Sequence, residues 1–492
     1  MKPFIRKGKS KSGATTIQIE YREGRKRQKI VHIGSAHNEL ELRLLEIQAN
    51  EIINANQLSF DFDTTDEELD IIQEKAYSET LWRALEYVYT RIGFTQVNDE
   101  VFKQLVLSRI VEPTSKVDAI RVLDELGLDT PSHSGILRSM KRCTEDDYRS
   151  ILSKACMSNT TKSSLSLVLY DVTSLYFEIQ KEDEYRKAGL SKERRLEPQI
   201  VIGLLVDRKG FPLEIKSFEG NKAEVKTIIP VLESFKGRYG VTGITVTADA
   251  AMLSAANIEA LEKMGYNYII ASKMNRFPME IDEYLRLPES ELTDQQIFEA
   301  KSTVTIEGKQ VKRRCIYQYR EKRASLDIRN IEKSVAKAQH MIDNTKDYKR
   351  NQYLKVTGGT KVVDEDLVAK HIKRAGIKGY LTNLRIPAQE VIAGYHQLYE
   401  VEMSFRMSKS DLKARPIFHH TREAIEAHLT IVFAALAISR FIQRKTNISI
   451  RRFLRTLVPI RTGIVSLNGK NYIIKPRISP EATVILDLLT KN

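Results

Sequence analysis

Cysteine is scarce in this chain. Cys143, Cys156 and Cys315 are the three present in 492 residues, and they are scattered. Zinc clusters and disulfide frameworks both need grouped or matched cysteines, so a reduced, cytoplasmic protein is expected instead. Long apolar runs are missing too. None approaches the roughly 20 residues that cross a bilayer, and the richest, residues 429–438, reads as a buried helix. The opening MKPFIRKGKSKSG has no apolar centre of the kind a secretory signal needs. With no basic amphipathic helix either, a membrane is not expected as a partner. Glycine-rich phosphate loops are absent, which leaves a small-molecule metabolic enzyme without a visible site. There is no internal repeat and no long low-complexity segment, and the single tryptophan, Trp82, reads as core.

Negative charge is in deficit. Asp and Glu total 64 against 78 Lys and Arg, a net charge of +14. Such a surplus favours a polyanionic partner, of which nucleic acid is the commonest. Hydrophobic content of 42% and charged content of 29% are ordinary for a globular protein. The length allows two to four domains, each with its own core.

The charge asymmetry is concentrated at the start. Arg6, Lys7, Lys9, Lys11, Arg22, Arg25, Lys26, Arg27 and Lys29 surround two alternating runs, 16–21 and 30–33. These runs predict a small basic β-hairpin able to touch phosphates, with a solvated arm as the competing reading. A helix over 39–57 completes a basic segment, 1–60, and the acidic stretch 61–70 marks a boundary. Residues 61–160 carry apolar positions at helical spacing, with breaks at Pro113-Thr114-Ser115 and at Gly127. Arg138, Lys141 and Arg142 on one short helix suit a DNA-contacting helix-turn-helix, and a plain helical bundle equally.

From Ser164 the pattern alternates. LVLYDVTSLYFE predicts a strand through Asp171, and PQIVIGLLVDRKGFPLEIKSFEGN two strands about a turn at 207–210, with Asp207 a turn residue. GITVTAD predicts a strand ending at Asp249; helices over 224–235 and around Ile258 and Leu261, then the strand YNYIIASK, complete an α/β order over 161–274. Residues 275–378 leave that order for charged strands and a long polar helix at 327–342. GYLTNL at 379–384 returns to the sheet. A helix from 388 to about 413 and an apolar helix over 421–441 fill out a segment 379–445. Residues 446–492 form a basic tail with Arg451, Arg452, Arg455 and Arg461.

An Asp at a strand end often only caps or turns the chain. The region of Glu402 adds to the two aspartates. Tyr395, Glu402 and Lys409 are spaced by seven residues, nearly two helical turns, so they would share a face with Leu398 and Phe405. An acid on an apolar packing face costs free energy unless something satisfies it. A metal shared with acids from the sheet would do so, and so would a salt bridge to Arg406 at the next turn. In-line cleavage of a phosphodiester needs an activated water or 3′-hydroxyl and a stabilised leaving oxygen, which two divalent ions about 4 Å apart supply. Mg²⁺ takes oxygen ligands and keeps much of its water, so a few carboxylates suffice. His419 and His420 are sequence neighbours that point apart, and His428 in an apolar helix reads as a satisfied core histidine.

Through these residues the chain resembles the insertion-sequence DDE transposases of the IS-four type, over roughly residues 165–440. LVLYDVTSLYFE sets Asp171 on the family's first-strand Asp, and VTADAAMLSAANIEAL sets Asp249 on its second. YHQLYEVEMSFRMSKSDLK sets Tyr395, Glu402 and Lys409 on the Tyr, Glu and Lys of its Tyr-x2-Arg-x3-Glu-x6-Lys signature. Leu398 stands where the signature has arginine, a residue thought to engage DNA phosphate near the cut; Arg406 or Arg415 could serve instead. The resemblance implies an α/β fold with an RNase H-like core, a mixed sheet with flanking helices, interrupted by an insertion domain at 275–378. The basic β-hairpin segment and the helical domain precede it. It further implies that Asp171, Asp249 and Glu402 are catalytic and hold two Mg²⁺ or Mn²⁺ ions, with Tyr395, Lys409, Arg406 and Arg415 touching DNA. The implied partners are double-stranded DNA, both transposon ends and target, and a second copy of the chain in a synaptic homodimer. The implied activity is cleavage of transposon ends and strand transfer. A metal-dependent nuclease without strand transfer is one rival. A transposase-derived DNA-binding protein is another, and the presence of all three acids counts against it.

Overall fold

The computed structural model describes all residues except 1, 10–13, 24–25, 56–70, 179–180, 190–196, 242, 251–253, 273–291, 307–308, 344–350, 358–359, 468–469 and 492. It divides into two compact units, one of residues 1–159, 406–415 and 419–492, the other of residues 160–405 and 416–418.

The first unit opens with a three-stranded antiparallel sheet of β1 (Lys2–Lys9), β2 (Thr15–Glu23) and β3 (Lys26–Ala36). The alternating runs of the sequence lie within β2 and β3. The strand β1 is too polar to announce itself, and its pairing with β2 decides its conformation. Helix α1 (Glu39–Ala55) closes one face, packing its Leu45 and Ala49 on Ile17, Ile19 and Ala36. The acidic stretch 61–70 lies outside the described residues.

A helical bundle follows: α2 (Glu79–Ile92), α3 (Glu100–Val111), α4 (Ala119–Glu125), α5 (His133–Glu145) and α6 (Tyr148–Ser158). Its axis comes from far along the chain. Helix α14 (Arg422–Thr446) contacts α2, α3, α5 and α6. It is long and apolar enough to cross a membrane, yet 89% of its apolar window is buried inside the protein. The bundle start also corrects the sequence expectation. Residues 71–77, expected to be helical, form β4 (Ile71–Tyr77). Its partner is β15 (Thr462–Leu467), which pairs in turn with β16 (Lys470–Ile474). IIQEKAY is too short for its periodicity to choose between helix and strand, so a ladder partner almost four hundred residues away chooses. The segment that looked like a basic tail thus carries α15 (Ile450–Leu457), β15, β16 and α16 (Pro480–Thr490).

The second unit is built on an eight-stranded mixed sheet in the order β10-β11-β14-β9-β8-β5-β6-β7. After the short helix α7 (Lys162–Leu165), the strands are β5 (Leu167–Tyr176), β6 (Gln199–Asp207), β7 (Pro212–Glu219), β8 (Thr245–Ala248), β9 (Asn267–Ser272), β10 (Ile297–Ile306), β11 (Lys309–Tyr319) and β14 (Ile377–Thr382). Every residue of β6 is buried, as suits a strand covered on both faces. Helices α8 (Ile228–Tyr239) and α9 (Ala255–Lys263) pack together, α8 against β6 and β7. On that side Tyr170 donates its hydroxyl to Thr227 Oγ1 at 2.9 Å, and its ring leaves no room for a side chain at Gly203. The charged strands expected to leave the sheet instead extend it, because β11 pairs antiparallel with β14 along six residues. Between them and β14 come α10 (Glu321–Asp343), β12 (Leu354–Thr357), β13 (Thr360–Val363) and α11 (Glu365–Lys373), around Ile331, Ala338 and Tyr353.

The helix expected from 388 to about 413 is two helices, α12 (Ala388–His396) and α13 (Tyr399–Ser410). The amides of Gln397, Leu398, Glu400 and Val401 bond three residues back rather than four, so the chain tightens between them.

Candidate active site

Strand pairing brings the two aspartates together. β5 and β8 run parallel with Leu167 opposite Thr245 and Leu169 opposite Thr247. Two residues further, Asp171 stands beside Asp249, the residue that follows β8. Side chains alternate along a strand, so Leu167, Leu169 and Asp171 share one face. That face is covered by α12, where a side chain added at Gly394 would meet Ile269 at 2.8 Å and Leu167 at 3.9 Å. Asp171 is half-buried, and its Oδ1 accepts the Val172 backbone N–H at 2.7 Å.

The same level continues across the sheet. Ala248 pairs with Ile270, so Asp249 stands level with Ala271, and Ala271 pairs with Tyr380 of β14. The Tyr380 ring meets Tyr395 of α12 at 5.0 Å between centroids. Tyr395 lies within the electrostatic reach of these acids. Its phenol is held well above the ordinary range, first by burial, then by the charges of Asp249, Tyr380, Glu402 and Asp171.

Glu402 departs from the sequence expectation. It is exposed, while Leu398 and Phe405 on the same stretch are buried at 5% and 8% exposure. The helix is interrupted between Tyr395 and Glu402, so seven-residue spacing does not carry the apolar face from one to the other. The desolvation penalty invoked for it therefore does not apply. Ser404, two residues on, donates to the Gly210 carbonyl at 3.0 Å and holds the start of α13 on the β6–β7 turn. At that turn Asp207 is the turn residue expected, accepting the amides of Lys209 and Phe211 at 2.9 and 2.8 Å.

The basic residues near Glu402 fall in the other unit: Arg406 is exposed, and Lys409 and Arg415 are half-buried. His428 is buried there, with Lys116 Nζ 3.1 Å from Nδ1 and the Ala414 carbonyl 3.2 Å from Nε2. One cation at the acid face went unnoticed in the sequence. Lys378 on β14 sits two residues from Tyr380, hence on its face, with Nζ 4.2 Å from the Tyr395 ring centroid. Its signal was a lone lysine at an inward position of the alternating strand IKGYLT.

Among the described residues no three His, Cys, Asp or Glu side chains form a ready-made metal cluster. The two aspartates at adjacent strand ends offer carboxylate oxygens, the donor type that a hard divalent cation takes.

The site is thus a mixed sheet with paired aspartates at adjacent strand ends, followed along the chain by a glutamate-bearing helix. The family model described as "Transposase DDE domain" matches residues 162–438, more than half of the chain, and the chain belongs to that family. No curated protein matches it. Among solved structures, it is similar to the piggyBac transposase in a synaptic complex with hairpin DNA. Identity there is 11%, with 77% of this chain and 70% of that chain covered and a TM-score of 0.38. It is also similar to the Mos1 transposase in a paired-end complex with the left transposon end, at 15% identity, 46% and 66% coverage and a TM-score of 0.16.

Proposed function

We propose that this transposase-family enzyme cuts the ends of a mobile DNA element and joins the freed 3′-hydroxyls to target DNA. The observation that carries the proposal is the parallel register of β5 and β8, which sets Asp171 level with Asp249 on the sheet face covered by α12. In this reading residues 161–274 and 379–445 are an RNase H-like core interrupted by residues 275–378, of which β10 and β11 join the core sheet.

Asp171 and Asp249 present carboxylates side by side because parallel strands hold them in register, and Glu402 closes the set from the helix. Two Mg²⁺ or Mn²⁺ ions held there would activate the nucleophile and stabilise the leaving oxygen. Tyr395, packed against Tyr380 and Lys378, fixes α12, the helix that leads into α13 and Glu402, on the sheet. Arg406, Lys409 and Arg415 follow Glu402 along the chain and are proposed to hold the DNA backbone, as is the basic sheet β1–β3. Pairing of two DNA ends makes a homodimer the working form, acting in the cytoplasm on the nucleoid.

The test is cleavage of a labelled duplex copied from the DNA flanking the coding sequence, in Mg²⁺ or Mn²⁺, by wild type and Glu402→Gln. Wild type cuts at the element end, and the near-isosteric variant binds but does not cut. Equal cutting by both would remove Glu402 from the site. Pre-cut ends offered with a target plasmid separate transposition from simple hydrolysis, because only strand transfer gives joined product.

A further inference from the structure

The acid face carries a cation that the metal-site proposal leaves without a task. A carboxylate triad must accept a phosphodiester, itself an anion, and each negative charge already there opposes its approach. Lys378 lies on the same face of the sheet. Register places Tyr380 level with Asp249, and Lys378 two residues from Tyr380 along β14. Its ammonium rests 4.2 Å from the Tyr395 ring centroid and 5.8 Å from that of Tyr380. Among the described residues no carboxylate lies within ion-pair distance of it. A compact ammonium on an aromatic face is held by the ring quadrupole, which directs the charge yet leaves its N–H donors uncommitted.

We propose that Lys378 binds the phosphodiester at the acid site, donating to a non-bridging oxygen of the phosphate being cut. The proposal rests on the acid-site function above. Burial and the Arg323 charge lower the affinity of Lys378 for its proton, and Glu402 opposes them. Packing alone would not require the charge. A structural residue in that place would serve as well with an apolar stem over Tyr395.

The experiment uses the full chain and the same flanking-DNA duplex. In a Glu402→Gln background with Mg²⁺, affinity is measured against KCl concentration for Lys378, Lys378→Gln and Lys378→Arg. Loss of one phosphate contact lowers the slope of log K against log salt by about 0.9. The Gln variant should show that drop and the Arg variant should not. In the active background Lys378→Gln should cut at least ~10-fold more slowly at unchanged melting temperature, with Lys378→Arg restoring the rate to within a few-fold. An unchanged salt slope, unchanged cutting, or an arginine that fails to rescue overturns the proposal. Failure of the acid site itself is read separately, from Glu402→Gln cutting like wild type; Lys378 then has no phosphodiester to hold, and its role falls too.

Discussion

At the scale of single residues, burial overrules the signature at Leu398. The side chain is 5% exposed, so Leu398→Arg would carry a guanidinium into apolar contacts. A cost of about 3 kcal/mol is expected, with a lower melting temperature and no gain in DNA cutting. A variant that stayed stable and cut faster would show that DNA reaches this position. Asp99 illustrates a polar residue committed to structure. It caps α3 through the Phe102 amide at 3.0 Å and accepts from Ser139, Arg142 and Tyr148. Burial pushes its carboxyl up, but those hydrogen bonds win and hold it below the usual carboxylate range. A depressed folded pKa contributes stability above the unfolded pKa, near 4, and loses it as pH falls through the folded value. Asp99→Asn should therefore cost about 3 kcal/mol at pH 7, measured by urea unfolding. The gap to wild type should narrow below about pH 4. A gap that stayed constant from pH 7 to pH 3 would mean the charge contributes nothing.

At the scale of elements, long-range pairing decides what local pattern leaves open. β15 is the central strand between β16 and β4, so each of its amides faces one neighbour or the other. Ser466→Pro, opposite Asn471 and Ile72, removes a ladder bond and should cost about 3 kcal/mol. Thermal melting followed by circular dichroism reads this directly, and an unaltered melt would deny the pairing of β4 with the C-terminal strands. The break between α12 and α13 belongs to the same scale. Heptad spacing of Tyr395, Glu402 and Lys409 was legible, but hydrogen bonds that reach three residues back instead of four break the helix between the first two, and Glu402 is exposed. The strands were legible because alternation and burial agree; β10 looked foreign because it is the edge strand, where charge guards the open side.

For the whole molecule, the net charge of +14 predicts DNA binding that depends on salt. With six or more phosphate contacts, affinity for duplex DNA should fall by about 10³ or more between 50 and 200 mM salt. Fluorescence anisotropy across that range tests it, and a complex indifferent to salt would speak against a phosphate-driven interface. Deleting residues 1–38, which carry β1–β3, should flatten the dependence if that basic sheet touches the backbone.

Composition and pattern alone pointed to a polyanionic partner and gave the α/β order of residues 161–274, because charge and periodicity are properties of the chain itself; the three acids became candidates through the family resemblance. Tertiary structure alone decided that Asp171 and Asp249 stand side by side, that β4 is a strand, that α14 is the axis of the helical unit, and that Lys378 faces the acids. Each of these depends on which distant segment supplies the hydrogen-bond partner or the apolar surface. That choice is made by the free energy of the assembled sheet and bundle, which no local window of sequence contains.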